Sequence, residues 1–267
     1  AEEYGLVPSQ NILKISKTIR FLKPNPSGTE QYKIYYKIKQ IAAGERHTCL
    51  LYETTHAPIY TGVKCWGGNS YGQLGYGHNQ NIGSDRTGGS PYNYYYTFTD
   101  YDILTSVTSG SGGSGNTGNW FRLNEFGDVP IFWDPAISNS IITKIKKVVA
   151  GNNHTCAMVE ETGNTGYYKA RCWGRNNKKQ LFGLENTTDN IGDFERGDYP
   201  FNKGRELRVK DIFAAADNTC ILKENNKIMC FGDLSMGALQ ESAGGYTAPG
   251  VSTISKVAVG SSHVCIL

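Results

Sequence analysis

Short apolar runs, each followed by a polar turn and a second short run, recur four times along the chain. Ile41–Cys49 reads IAAGERHTC and leads to a run that ends in KCWGGNSYGQLG. Val148–Cys156 reads VVAGNNHTC and leads to RCWGRNNKKQLFG. Ile212–Cys220 reads IFAAADNTC and leads to MCFGDLSMGALQ, and Val257–Cys265 reads VAVGSSHVC. Runs this short, bounded by Gly, Asn and Ser, predict strands. Self-similarity at a recurring spacing predicts a repeat architecture. The unit cores are placed at about 41–85, 148–193, 212–240 and 257–267, within a repeat region of 41–267. Upstream, Gln31–Lys39 (QYKIYYKIK) alternates aromatic residues or Ile with Lys, the pattern of a half-buried strand, and Lys23–Gly28 (KPNPSG) reads as a turn. Residues 1–40 are therefore expected to supply two or three strands that lead into the repeats or close them.

The spacing between units is uneven. Cys49 and Cys156 are 107 residues apart, against 64 for Cys156 to Cys220 and 45 for Cys220 to Cys265. A unit of about 45–50 residues leaves an excess of about 60 in the first interval. We read that excess as an insertion at 86–140, with a degenerate unit lacking cysteines as the alternative. It holds a tyrosine-dense stretch (PYNYYYTFTDYD, Pro91–Asp102), a Gly/Ser linker (Ser109–Gly118) and an aromatic stretch (Asn119–Pro135). Tyr92, Tyr94, Tyr95, Tyr96, Tyr101, Trp120, Phe132 and Trp133 are the candidate binding residues, because Tyr and Trp give large contact area at low entropy cost. Docking a protein, stacking on sugars and packing the insertion onto the repeats all use such residues. A second variable element lies between the paired cysteines: Glu53–Gly62, Glu161–Ala170, and the shorter Lys223–Ile228, where Asn225–Asn226 suits a tight turn.

Composition narrows the classes. With 27 Lys and Arg against 24 Asp and Glu, and no basic block, nucleic-acid binding is not predicted. No apolar run is long enough to span a membrane as a helix. Six of the seven cysteines fall in pairs within units: Cys49 with Cys65, Cys156 with Cys172, and Cys220 with Cys230. Each pair sits on two runs separated by a turn-rich segment, as on neighbouring antiparallel strands, where a disulfide can form. Six buried thiols are the alternative reading; zinc fits poorly, with no CxxC and two sulfurs per site. Disulfides imply an oxidising compartment, hence a secreted or cell-surface protein. The first residue is Ala1; a removed signal peptide or a trimmed end accounts for it, and the cysteines favour the first. Cys265 has no partner in its own unit. We expect a fourth unit cut short, its partner cysteine outside the chain; a bond to another chain or a free thiol are the alternatives.

Little points to chemistry. His47, His154 and His263 share one repeat position, so they are expected to be spread apart and structural, for instance hydrogen-bonded to turn backbone. Asp85 and Asp193 also recur and read as turn caps rather than calcium ligands. No GxSxG, HExxH or phosphate-cradling loop occurs, so no catalytic residue, metal or cofactor is assigned and no enzyme is expected.

The constellation apolar–apolar–A–G–x–x–H–T–C followed by C–W–G–x–N–x–x–G–Q–L–G resembles the regulator of chromosome condensation repeat family. It is most similar to the cysteine-containing variant of exported bacterial proteins. NIGSD (Asn81–Asp85) and NIGD (Asn190–Asp193) extend the likeness. Departures fall in the third unit: Ala215 or Ala216 for Gly44, Asn218 for His47, and Phe231 for Trp66. The resemblance covers roughly half of the chain and implies an all-β fold, a β-propeller of four-stranded blades. Three and a half units fall short of a usual seven-bladed ring, so a partial ring with a large loop insertion is expected. The function expected from this scaffold is protein interaction or adhesion at a cell surface or in an extracellular assembly. The rivals are a carbohydrate-binding propeller, a filament subunit assembling with further copies or with the missing remainder of the ring, and the nucleotide-exchange or chromatin role of the family's namesake.

Overall fold

The computed structural model describes residues 18–25, 28–54, 61–76, 79, 81, 129, 142–161, 166–181, 188–192, 208–233 and 253–267. Among these the fold is all-β. Strands β1 (Thr18–Asn25), β2 (Gly28–Ala43), β3 (His47–Thr54) and β4 (Thr61–Gly67) form one antiparallel sheet in that order. Next come two three-stranded meanders, β5 (Ile142–Ala150), β6 (His154–Glu161), β7 (Tyr168–Gly174), and β8 (Arg208–Ala215), β9 (Asn218–Lys223), β10 (Ile228–Gly232). They touch edge to edge only where Tyr168 meets Val209 and Lys169 meets Arg208. A hairpin of β11 (Val257–Val259) and β12 (Val264–Ile266) follows. The described sheets do not close into a ring.

The units are equivalent residue by residue. The first strand of each of the first three carries a register shift at the same place: Ile38/Gln40, Ile145/Lys147 and Val209/Asp211. This aligns Gly44 and Gly151 with Ala215. β2 runs unbroken from Gly28 to Ala43, so the lead-in strand and the first run of the first unit are one strand. The bulge at Ile38/Gln40 re-phases the side chains across the join. The fourth strand of the first sheet, β1, comes from the lead-in segment, with Asn25 opposite Gly28.

Middle strands are buried along their whole length rather than on alternate residues. Cys49, Leu50, Leu51 and Tyr52 of β3 and Cys156, Ala157, Met158 and Val159 of β6 are all within a few per cent of full burial. A strand covered on both faces loses the period-two signal. One core cluster joins the first three units, with Leu51, Val63, Val148, Met158, Trp173, Ile212 and Met229 among its members. Each such side chain contributes about 1.5–3 kcal/mol by leaving water.

The six cysteines form three bonds. Cys49–Cys65, Cys156–Cys172 and Cys220–Cys230 each join directly opposed residues of neighbouring antiparallel strands. Bridges closing loops of this size stabilise by about 2–4 kcal/mol each. Cys265 is free and exposed.

Two repeated turns show why the motif residues recur. In the first unit Asn69 Oδ1 accepts from Leu74 N (2.9 Å) and Gln73 Oε1 accepts from Tyr71 N (2.9 Å). In the second, Asn176 Oδ1 accepts from Leu181 N (3.0 Å) and Gln180 Oε1 from Lys178 N (2.8 Å). Asn81 and Asn190 cap the same turns through the amides of Asn69 and Asn176. Where the first unit has Gly72 at φ 75°, the second has Lys179 at φ 60°, a left-handed conformation that costs a residue with a Cβ. The expected tight turn in the third unit is present, with Asn226 at φ 57° and Asn226 N donating to Lys223 O.

Candidate interaction site

The seams between units are where the recurring polar residues meet. His47 Nε2 lies 2.8 Å from Thr155 Oγ1 of the next unit, and His154 Nε2 lies 2.8 Å from Thr219 Oγ1 of the one after. Thr155 donates its own hydroxyl hydrogen to Gln73 O (2.8 Å), so it accepts from His47. That fixes the His47 tautomer with the proton on Nε2. The Nδ1 atoms of both His47 and His154 are buried without a partner. Both rings are held far below the usual histidine range: burial lowers His47 to about 4. Burial, then the nearby charge of His47, lowers His154 to about 3.

The histidine of each seam is seated on the glycine three residues before it. A Cβ on Gly44 would lie 2.2 Å from His47 Cε1, and one on Gly151 would lie 2.1 Å from His154 Cε1. In the third unit Ala215 stands at that position and Asn218 replaces histidine, its Nδ2 donating to Ser261 O of the fourth unit (2.8 Å). The two departures are thus one change: the shorter amide leaves room for the alanine methyl. The expectation of a histidine bonded to its own turn is corrected here, because the ring reaches across the seam to a threonine hydroxyl.

Further bonds tie the first seam. The Gln40 amide pairs with the Val148 backbone in both directions (2.7 and 3.1 Å). Ile145 N donates to Thr61 Oγ1 (2.8 Å), and Trp173 Nε1 donates to Gln73 O (2.9 Å). Trp173 also fills the space beside Gly75, where a Cβ would come within 2.7 Å of its Nε1. Sequence reasoning singled out the histidines but missed Thr155, Thr219, Gln40 and Gln73; the recurring Thr–Cys dipeptide was the signal for the first two.

Tyr92, Tyr94, Tyr95, Tyr96, Tyr101, Trp120, Phe132 and Trp133 lie outside the described residues, as do Asp85 and Asp193. So do residues 55–60 and 162–165 of the two longer variable loops. Of the 86–140 insertion, Val129 is described: it is fully buried, and its amide donates to Val63 O of β4 (2.9 Å). The insertion therefore returns to the core of the first unit. Among the described residues there is no group of three or more His, Cys, Asp or Glu that could hold a metal ion, and no helix long and apolar enough to cross a membrane.

The surface itself varies along the array. In the second and third units the apolar positions of the first strand are covered by the preceding unit: Ile145 and Val148, Val209 and Ile212 are at most 2 % exposed. Their equivalents in the first unit, Ile38 and Ile41, are 40 % and 52 % exposed. At the other end, His263 sits on Gly260 as the other histidines sit on their glycines, 2.4 Å from a Cβ there, but it is exposed.

Two segments, 38–73 and 145–180, match the model of the regulator of chromosome condensation (RCC1) repeat. No curated protein sequence matches the chain significantly. Among solved structures the chain is similar to human WBSCR16 (14 % identity, TM-score 0.46, covering 87 % of this chain and 45 % of that one). It is also similar to yeast RCC1 (Prp20) in a structure bound to Kap60 (17 %, 0.43, covering 94 % and 50 %). A third is the CRINKLY WD40 ectodomain of the Arabidopsis thaliana receptor kinase ACR4 (16 %, 0.39, covering 87 % and 52 %). The chain spans about half the length of these structures. The two matched segments carry the RCC1 repeat pattern, and they lie in the antiparallel sheets of the first and second units.

Proposed function

We propose that this chain, whose blades are RCC1 repeats, is a disulfide-held interaction module that works in an oxidising compartment, secreted or at a cell surface, and binds a protein partner through its variable loops. The observation that carries this reading is the repeated placement of a buried bridge across each of the first three units, with the intervening segment changing length while its flanks keep register. The bridges rest on chemistry that a reducing cytosol does not maintain. They hold each blade rigid, so that loop variation is tolerated without loss of fold. The contact segments are Glu53–Gly62, residues 86–140 with their tyrosines, and Glu161–Ala170. The reading invokes shape complementarity and no catalysis.

The test has two arms. Thiols of the protein in its source cells are blocked with a membrane-impermeant maleimide, before and after reduction. One label before and seven after, applied from outside, is the expected outcome; six or more labels before reduction, or none without lysis, overturns the compartment. Photo-crosslinking at Tyr92, Tyr95 and Trp133 then identifies the contact. A polypeptide crosslink lost on replacing the Tyr92–Tyr101 tyrosines with serine supports the reading, and a crosslink only to glycan overturns it.

A further inference from the structure

Each clasping histidine stands over a disulfide as well as a seam. Cys49 Sγ lies 3.9 Å from Thr155 Oγ1, the hydroxyl that receives His47 Nε2. Cys156 Sγ lies 3.8 Å from Thr219 Oγ1, the hydroxyl that meets His154 Nε2. The bridge of one unit is thus capped by a threonine of the next, and that threonine is held by the histidine two residues before the bridge cysteine. Cys49, Cys65, Cys156, Thr155, Thr219 and His154 are fully buried. A bridge so placed is reduced only after the structure around it opens.

The cap depends on a ring that has no place for a second proton. Both Nδ1 atoms are buried without a partner, over the bare Cα of Gly44 and of Gly151. A proton gained there meets no acceptor, and a buried cation without one is driven toward water. The charged groups on the turns beside the rings are Glu45, Arg46, Arg175 and Asp217. Glu45 pairs with Arg46 (3.9 Å) and accepts from Asn153 Nδ2 (3.3 Å), Arg175 stacks on Tyr71, and Asp217 stands in the third unit's turn. None of them partners a ring nitrogen, and the charge of His47 opposes a charge on His154. The third bridge, Cys220–Cys230, is covered differently. Val264 stands where Thr155 and Thr219 stand, and the Asn218 amide, which does not titrate, closes that seam on Ser261 O (2.8 Å).

We propose that the clasp is an acid-operated gate on the first two disulfides: protonation of His47 or His154 frees the threonine from the bridge sulfur and admits a reducing dithiol to Cys49–Cys65 or Cys156–Cys172. The reductant is a dithiol whose attacking sulfur still ionises at low pH. That thiolate attacks one bridge sulfur, forming a mixed disulfide and expelling the other cysteine as a thiolate. The dithiol's second sulfur then displaces the protein. Two electrons and two protons pass to the bridge, which ends as two cysteine thiols, and the dithiol ends as a disulfide. In acid the module is unfastened seam by seam, while at neutral pH the same bridges stay sealed. The inference goes beyond the proposed function, because it needs neither the variable loops nor a bound partner.

The experiment reduces the native 267-residue protein at pH 7 and at pH 5 with a water-soluble phosphine, which acts at both and takes oxygen from water as it becomes its oxide. New thiols are trapped with maleimide at intervals, and each cysteine pair is read by peptide mass. The rates of the first two bridges are taken relative to Cys220–Cys230 in the same sample, which cancels the reagent's own pH dependence. The histidines titrate at about 4 and about 3 in the closed seams, against 6.5 in an open one. Each open seam is therefore about twentyfold more populated at pH 5 than at pH 7, and both relative rates should rise about twentyfold. His47→Asn should remove the rise at Cys49–Cys65 and leave it at Cys156–Cys172, and His154→Asn should do the converse. Equal acceleration of all three bridges overturns the proposal, because whole-chain unfolding exposes them together. A relative rate that ignores pH also overturns it, as does a rise that survives loss of the bridge's own histidine. Where a variant fails to fold, the native protein still decides, since its third bridge is the internal reference.

Discussion

At the end of its first strand the second unit has Gly151 with His154, while the third has Ala215 with Asn218. Both pairs hold the next unit, one through a threonine hydroxyl and the other through a backbone carbonyl. The difference teaches that the glycine and the histidine are one element. An imidazole needs the bare Cα beneath it, and an alanine methyl there requires a shorter donor. The fourth unit separates seat from seam. His263 rests on Gly260 while exposed, so the seat forms within one unit and needs no neighbour. Burial comes only with the neighbour, and with it the depressed basicity of His47 and His154.

Acid tests this contrast most strongly. The unfolded histidines titrate near 6.5, while the folded ones wait until about 4 and about 3. Their contribution is complete above pH 6.5 and is lost as pH falls from there toward the folded values, because only the unfolded chain takes up the protons. At pH 5 the two together should cost about 4 kcal/mol relative to neutral pH. Urea unfolding at both pH values checks this, and replacing His47 and His154 by Asn, the third unit's solution, should remove most of the pH dependence above that of the carboxylates.

The seat itself is the next target. Gly151→Ala drives a methyl into the His154 ring and to 2.6 Å from Ala216 O, and should cost about 3 kcal/mol in the urea-derived stability. Adding His154→Asn should recover part of that loss. The carbonyl contact keeps recovery incomplete, and a double-mutant cycle reads the coupling. Gly260→Ala should cost well under half as much, because the exposed His263 can swing away.

Removing the clasp alone comes third. His154→Ala leaves the Thr219 hydroxyl without this partner and opens space in the seam, for a loss of about 1–3 kcal/mol. Asn218→Ala in the third seam should cost about 1 kcal/mol. Equal losses at the two positions would mean that the size of the clasping side chain does not set its worth. The smallest effect is expected at Lys179. Lys179→Gly gives the second unit the residue that the first uses at Gly72, and should raise the melting temperature slightly, for a gain of up to about 1 kcal/mol.

Much of this architecture was legible before any coordinates. The two glycine–histidine–cysteine units and the bridge pairing follow from residues within one unit, whose geometry is local. The Asn225–Asn226 turn was legible for the same reason. The continuity of the lead-in strand with the first run of the first unit was not legible, because a bulge at Ile38/Gln40 hides it behind a change of phase. Of the interaction residues, the aromatic candidates in 86–140 were chosen by composition alone. The threonines and glutamines of the seams were passed over, because nothing in a single unit says that its hydroxyl or amide answers to a side chain about a hundred residues away, as with His47 and Thr155.

The sequence by itself determined what one unit must be: strands from short apolar runs, a bridge from cysteines on opposed strands, and a histidine that only a glycine can seat. Those depend on contacts within a unit, where chain connectivity restricts the choices. Only the tertiary structure decided which copies are covered. Val148 and Ile41 occupy the same place in the repeat, and one is fully buried while the other is half in water. Burial is a property of the neighbour, and the neighbour is set by the stacking of units rather than by the residues of any one of them.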